Sequence, residues 1–242
     1  MKILLSNDDG INSKPLKILA EKLAEKHDVL VVAPKINRSA VSHSLTVFNE
    51  IKVEKAEDFN NCRAFSLDGT PADCVKFAIL YFKDFDPDLV VAGINVGHNL
   101  GADILYSGTV SIGYEAAFYG KKTFCFSTLS FGDSDYKGFA EKAAEIIDDY
   151  YRKVNDNTIL NVNFPDVMAK NIKGVKLATL AKTVYIDDYV KTGENMYKIT
   201  SRLTDDAQLG SDLYYTLKGY ISITPLIYDK TDHSLLKELT EL

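Results

Sequence analysis

Two adjacent carboxylates, Asp8 and Asp9, follow a short apolar run at residues 3–5 and precede Gly10. Side by side they repel each other unless a cation lies between them. The plain alternative is a turn closed by an Asx hydrogen bond, which Asp-Asp-Gly also suits; the place directly after an apolar strand weighs towards a ligand. Two further polar segments follow strands in the same half of the chain. They are Asn37-Arg38-Ser39-Ala40-Val41-Ser42 and Gly93-Ile94-Asn95-Val96-Gly97-His98-Asn99-Leu100-Gly101. Two carboxylates, a serine hydroxyl and an asparagine carbonyl make an all-oxygen donor set, which suits Mg2+, Mn2+ or Ca2+ rather than zinc or copper. Ser107-Gly108-Thr109 opens a helix, where backbone N–H groups and hydroxyls make a seat for phosphate. Ordinary capping by Ser107 or Thr109 explains the same residues, and both readings hold at once. The glycines of 93–101 do not follow G-x-G-x-x-G, and Ala33-Pro34 offers no acid for a ribose, which excludes a nicotinamide enzyme. His27, His43, His98 and His233 form no i, i+4 ligand pair; His98 reads as a surface-loop residue. Tyr214 and Tyr215 read as packing residues.

The elements that must position these groups alternate through the first half. Strands are expected at 3–5, 29–33, 89–92, 123–127 and 159–164. Helices are expected from a Ser13 cap with Pro15 in the first turn, from Thr70-Pro71, over 109–119 and over 136–151. Apolar strands without alternation, separated by helices, point to a parallel sheet covered on both faces. Right-handed crossovers make it a doubly wound, Rossmann-like α/β core, with ligands outside the carboxyl ends of the strands. That rule puts the three polar segments on one edge. After about residue 170 strands at 175–180, 183–186, 196–203 and 220–224 are expected with few helices between them, then a short helix at 234–239. The expected division is a catalytic core, 1–170, and a β-rich appendage with a C-terminal arm or helix, 171–242, either within the same structural domain or as a subdomain.

Composition agrees with an ordinary globular chain. Its 242 residues, 26.9 kDa, are 46% hydrophobic and 26% charged, which excludes disordered and low-complexity classes. About 70% of the unfolded surface is buried at this size, so no staples are needed. A net charge of −6 argues against binding nucleic-acid polymers by charge, yet leaves room for a small anion neutralised locally by a metal. Cys62, Cys74 and Cys125 cannot pair completely and read as buried small hydrophobes in a reducing, cytoplasmic compartment. The sequence turns acidic too early for a signal peptide, and the longest apolar run, 77–82, is too short to span a membrane.

Taken together, Asn7-Asp8-Asp9-Gly10, Asn37-Arg38-Ser39, Asp68-Gly69-Thr70-Pro71-Ala72-Asp73-Cys74-Val75, Gly93-Ile94-Asn95-x-Gly97-x-Asn99 and Tyr106-Ser107-Gly108-Thr109-Val110 resemble the stationary-phase survival protein SurE family. Asn161-Val162-Asn163-Phe164-Pro165 and Gly219-Tyr220-Ile221-Ser222-Ile223-Thr224-Pro225-Leu226 extend the resemblance to about residue 226. Each motif alone is weak; seven in order are specific. The resemblance implies a metal-dependent phosphatase acting on nucleoside 5′- or 3′-monophosphates, in some members also on polyphosphate. It implies one divalent cation per subunit held by Asp8, Asp9, Ser39 and Asn95, with Mg2+ or Mn2+ ahead of Co2+. It also implies dimer or tetramer assembly through the region after 170, often with an exchanged C-terminal arm. Many members carry glycine after the metal-site serine, where this chain has Ala40, a departure expected to matter little.

The implied reaction is attack of a metal-activated water on the phosphoryl group. Asp8 or Asp9 assists as base, and Asn99, Ser107, Gly108 and Thr109 hold the phosphate oxygens. An aspartyl-phosphate route ranks second, because a carboxylate committed to a metal is a poorer nucleophile. A non-catalytic nucleotide-binding regulator is the alternative function. A phospho-receiver switch would need a further aspartate and a late lysine in about half this length. Base preference is expected to lie in loop shape, with 131–136 and 204–211 as candidate loops.

Overall fold

β1 (Lys2–Ser6) and β2 (Asp28–Pro34) are apolar almost throughout because both their faces are covered. A computed structural model describes residues 1–242 except 58, 60, 129–134, 183, 205 and 241–242. The remaining strands are β3 (Val53–Lys55), β4 (Arg63–Leu67), β5 (Leu89–Val96), β6 (Thr123–Thr128), β7 (Ile159–Phe164), β8 (Val175–Leu177), β9 (Tyr185–Gly193), β10 (Met196–Leu203) and β11 (Ile221–Leu226). Nine of them form one sheet in the order β3-β4-β2-β1-β5-β6-β7-β11-β8. The six from β4 to β7 pair in parallel, while β3 on β4 and β11 on β7 are antiparallel. The chain winds outward from β1 through β2 to β4, then restarts at β5 and winds the other way. The carboxyl ends of β1 and β5 therefore flank the topological switch point.

Helices cover both faces. α1 (Lys14–Ala24) buries Leu16, Leu19 and Leu23 at helical spacing, and α4 (Tyr136–Tyr150) buries Phe139, Ala143 and Ile147 on the same layer. Burying each leucine contributes about 1.5–3 kcal/mol. α2 (Pro71–Tyr81) and α3 (Gly108–Phe118) cover the other face with Cys74, Val75, Val110 and Ile112. Thr70 and Asp73 close a reciprocal capping box on α2. Ser13 does stand at the N-cap of α1, but its side chain makes no capping bond, so Pro15 is what starts that helix. Among the described residues no helix is long and apolar enough to cross a membrane.

The chain after residue 170 is rich in strands, as expected, and two of them belong to the main sheet. β11 and β8 join the main sheet beyond β7, so the chain after 170 returns to the core before it leaves again. Among the described residues only the hairpin of β9 and β10 forms a separate two-stranded sheet. It is longer than the expected strand at 183–186, of which residue 183 lies outside the described residues. α5 (Asp212–Leu217) is too short to show a helical period, and α6 (His233–Thr240) has no buried residue. β3 and β4 were not expected: β3 is three residues, two of them charged, and β4 lacks any β-branched residue. Their strand form comes from pairing with β2 and with each other. Of the expected loop at 131–136, residues 131–134 lie outside the described residues.

Candidate functional site

The turn after β1 is closed by the side chain of Asn7 and not by either aspartate of Asp-Asp-Gly, so both carboxylates stay out of it. Asn7 Oδ1 accepts the Gly10 N–H at 3.2 Å, and Asn7 Nδ2 donates to the Gly10 carbonyl at 3.1 Å. Gly10 has φ +99°, and a Cβ there would sit 3.0 Å from the Ile36 carbonyl carbon. The turn presents Asp8 and Asp9 to the two neighbouring loops. The Asp8 carbonyl accepts the Arg38 N–H at 2.7 Å, which lays the Asn37-Arg38-Ser39 strap alongside. Asp9 Oδ1 accepts Asn37 Nδ2 at 3.3 Å, and its Oδ2 accepts the Val96 N–H at 3.2 Å. Asp9 thus ties together all three segments that the sheet-edge rule put on one side.

Asp8 is only 3% exposed. Its Oδ1 accepts the Thr109 hydroxyl at 2.6 Å. The approach of α3 is this close because Gly108 has no side chain: a Cβ there would lie 2.7 Å from Asp8 Cβ and 2.8 Å from Asp8 Oδ2. Burial pushes the Asp8 carboxyl up to about 6, against the Thr109 hydrogen bond and with a contribution from the Asp9 charge. Burial likewise raises Asp9, against the Val96 N–H. No cationic side chain enters the balance at either carboxylate.

The neutral oxygens lie close by in the fold. Asn95 is buried, and its Nδ2 donates to the Gly97 carbonyl at 2.7 Å, which leaves its carbonyl oxygen as the end to offer a ligand. Ser39 is exposed, with its N–H held by Asn37 Oδ1 at 2.9 Å. Among the described residues no three His, Cys, Asp or Glu side chains gather, so a cation at this edge would draw on neutral oxygens as well as the two aspartates. A buried carboxylate, Asp8, and a half-buried one, Asp9, without a counter-charge and beside hydroxyl and amide oxygens, fit a hard divalent cation.

The phosphate seat is rearranged in detail. Ser107 Oγ accepts the Val110 N–H at 3.0 Å as a helix cap, and the Thr109 hydroxyl is spent on Asp8. What α3 still presents at its start are the first-turn N–H groups, which have no partner inside a helix. Asn99 is buried, and its Nδ2 donates to Ser127 Oγ at 2.7 Å, so a phosphate contact would require that bond to open. His98 is no surface residue. It stacks on Tyr185 and shares a 2.7 Å hydrogen bond with its hydroxyl, and burial pushes it down to about 4. Cys74 and Cys125 are buried, and Tyr214 packs edge-on against Tyr215. A groove of about 590 Å3 between α4 and β8 is lined by none of the site residues. Sequence reasoning missed the buried polar residues behind the 97–101 loop; Asn161 and Asn163 in an otherwise apolar strand were the signal.

Comparison with known proteins finds relatives along nearly the whole chain. The family model for Survival protein SurE matches residues 3–187. The 5'-nucleotidase SurE of Clostridium botulinum (strain Alaska E43 / Type E3) is 40% identical over 251 residues, covering 100% of this chain and 99% of that protein. The 5'-nucleotidase SurE of Thermoanaerobacter sp. (strain X514) is 38% identical over 245 residues, covering 99% of this chain and 97% of that protein. The crystal structure of the SurE protein from Aquifex aeolicus superposes with a TM-score of 0.88 at 34% identity, covering 100% of this chain and 99% of that one.

Proposed function

The chain belongs to the SurE survival-protein family, and from that premise we propose that it is a divalent-metal-dependent phosphatase that hydrolyses nucleoside 5′-monophosphates to nucleoside and phosphate. 3′-Monophosphates and polyphosphate are secondary substrates in this reading. The observation that carries it is the pair at the switch point without a counter-charge: Asp8, buried and held by Thr109 at the start of α3, and Asp9, half-buried beside it. Asp8, Asp9, Ser39 and Asn95 would hold one Mg2+ or Mn2+ per subunit, with Co2+ as the third candidate. When bound, such a cation supplies charge neutralisation at the phosphoryl group and a water acidic enough to react near neutral pH.

The protein's own groups do the rest. Thr109 fixes Asp8 in one orientation by occupying Oδ1, so Oδ2 is the oxygen left to face a ligand or to take a proton from the attacking water. Asn37 and the Val96 N–H orient Asp9 in the same way. The N–H groups at the start of α3, with the Ser107 cap holding the first turn, receive the phosphate oxygens and offset charge that builds in the transition state. Asn99 Nδ2 is engaged by Ser127 Oγ, so the proposed seat is Ser107, Gly108 and Thr109 alone.

Assembly as a homodimer or homotetramer belongs to the same proposal. The hairpin of β9 and β10 exposes Tyr189, Met196, Tyr197 and Ile199, and α6 exposes Leu235, Leu236 and Leu239. Apolar surface of this extent on a separate hairpin and a terminal helix favours a partner copy. Light scattering at the 26.9 kDa of one chain would remove that part.

The test of function is phosphate release by metal-stripped protein from 5′- and 3′-nucleoside monophosphates, polyphosphate and p-nitrophenyl phosphate, with EDTA, Mg2+ or Mn2+, beside Asp8→Asn. Release restored by metal and lost in the variant is expected. Binding of nucleotide without release under any metal would replace the enzyme by a regulator.

A further inference from the structure

β7 is a central strand, flanked by β6 and β11, and four of its six residues are apolar. The other two, Asn161 and Asn163, are fully buried, as is Ser127 on β6. Asparagine is disfavoured both in strands and in cores, so these positions need a reason. All three side chains converge on one residue. Asn163 Oδ1 accepts the Asn99 N–H at 2.8 Å while its Nδ2 donates to the Asn99 carbonyl at 3.0 Å. Asn161 Nδ2 donates to the same carbonyl at 2.7 Å, and Ser127 Oγ accepts Asn99 Nδ2 at 2.7 Å. Asn163 in effect pairs with the Asn99 peptide groups as a neighbouring strand would.

The arrangement costs the sheet something. Asn161 Oδ1 is buried with no hydrogen-bond partner, and so is Oγ1 of its cross-strand neighbour Thr224. An unpaired buried oxygen costs about 1–3 kcal/mol. Valine at 161 would serve the sheet better, so the compensation lies in the loop. That loop starts four residues earlier at Asn95, passes the Val96 N–H to Asp9, and is pinned again where the Gly101 N–H meets Asp212 Oδ2 at 2.8 Å. Asn99 is its middle anchor.

We propose that Asn161 and Asn163, with Ser127, are positioning residues: a buried amide clamp on the Asn99 backbone that holds the Asn95 carbonyl and the Val96 N–H in register with Asp9. The clamp acts through the loop and touches neither substrate nor cation. It deepens the function proposed above and rests on it. Outer partners that orient metal ligands are worth about 10- to 100-fold in affinity or activity when removed.

Asn161→Val, Asn163→Ala and Ser127→Ala separate positioning from folding. Three quantities are read beside the melting temperature: amide exchange of the 96–101 segment in metal-free protein, Mn2+ affinity by titration calorimetry, and kcat and KM for a nucleoside 5′-monophosphate. Asn161→Val should melt no lower than the parent, because it removes an unpaired oxygen and adds a strand-forming side chain. It should still exchange faster at 96–101, bind Mn2+ about tenfold more weakly and lose about tenfold in kcat, with KM changed less. Asn163→Ala should lose more on every reading; if it fails to fold, Asn161→Val carries the test. Variants that match an active parent in Mn2+ affinity and kcat overturn the clamp alone, whether or not exchange changes. A parent that binds no Mn2+ and releases no phosphate overturns the function reading, and the clamp with it.

Discussion

α3 has a buried carboxylate beside its first turn and another in its last turn, and the two are treated in opposite ways. Glu115, on the helix itself, is 4% exposed; His43 Nε2 sits 2.8 Å from its Oε2, and Lys76 Nζ donates to its Oε1 at 3.0 Å. Burial pushes Glu115 up, but the bonds from His43 and Lys76 outweigh it and hold the group below the usual range. Asp8, beside the first turn, is as buried and receives one neutral hydroxyl. A carboxylate that arrives with its own cations is part of the framework. One that is buried without them is destabilising by itself, and the fold tolerates it where a cation from solution completes the site.

The comparison breaks most visibly in turnover. Asp8→Asn should lose activity by orders of magnitude, as the assay above reads, whereas Glu115→Gln should leave kcat within about twofold, since the Glu115 carboxylate is spent on His43 and Lys76 and on none of the groups placed in the site. Near-full turnover by Asp8→Asn at saturating metal would end the site assignment.

Stability against pH sharpens the same contrast. Asp8 is raised from 3.8 to about 6 in the metal-free fold. A raised carboxylate contributes stability that is complete below its unfolded value and lost as pH climbs through the folded value. About two units correspond to about 3 kcal/mol. Metal-free protein should therefore lose stability between pH 4 and 7 in urea titrations, and Asp8→Asn should lack that loss. Glu115 has the opposite sign: its contribution is present above its unfolded value and disappears as pH falls. Glu115→Gln should cost about 1–2 kcal/mol at pH 7 and less at pH 4, because its partners are more than a third exposed and screened. Added Mn2+ should raise the midpoint more at pH 7.5 than at pH 5, since binding must displace the Asp8 proton. Equal Mn2+ shifts at both values would mean that Asp8 is not a ligand.

The gathering of three loops was legible because one rule of topology does the work. In a doubly wound sheet every loop after a parallel strand opens on the same edge, so the segments that carry Asp8, Ser39 and Asn95 could be grouped with no knowledge of distances, and the contacts of Asp9 with Asn37 and Val96 show them together. The fold was legible as far as its pairings follow chain order. β11 was misplaced because its insertion beside β7 joins residues some sixty positions apart in sequence, which no local pattern encodes. Hydrogen-bond bookkeeping was hidden as well. Ser107 and Thr109 were read as phosphate ligands or caps, and only the geometry shows that one hydroxyl caps the helix while the other holds Asp8. Asn161 and Asn163 stood out in an apolar strand, but a side chain's type does not say which backbone it grips.

The smallest effect belongs to the exposed strap that carries Ser39. Ala40 has φ +58°, in the left-handed region, at the position where glycine was the expected family residue. The departure is therefore not neutral for the backbone: alanine there costs roughly 1 kcal/mol that glycine does not. Glycine in turn leaves the unfolded chain more freedom, which offsets part of the gain. Ala40→Gly should raise stability by less than about 1 kcal/mol in urea titration, with Mn2+ affinity unchanged or slightly weaker as the strap loosens. A loss of stability larger than that would place Ala40 outside the left-handed region. The strap would then be a shaped part of the site, as the Asp8 turn is, rather than a tether that only has to reach it.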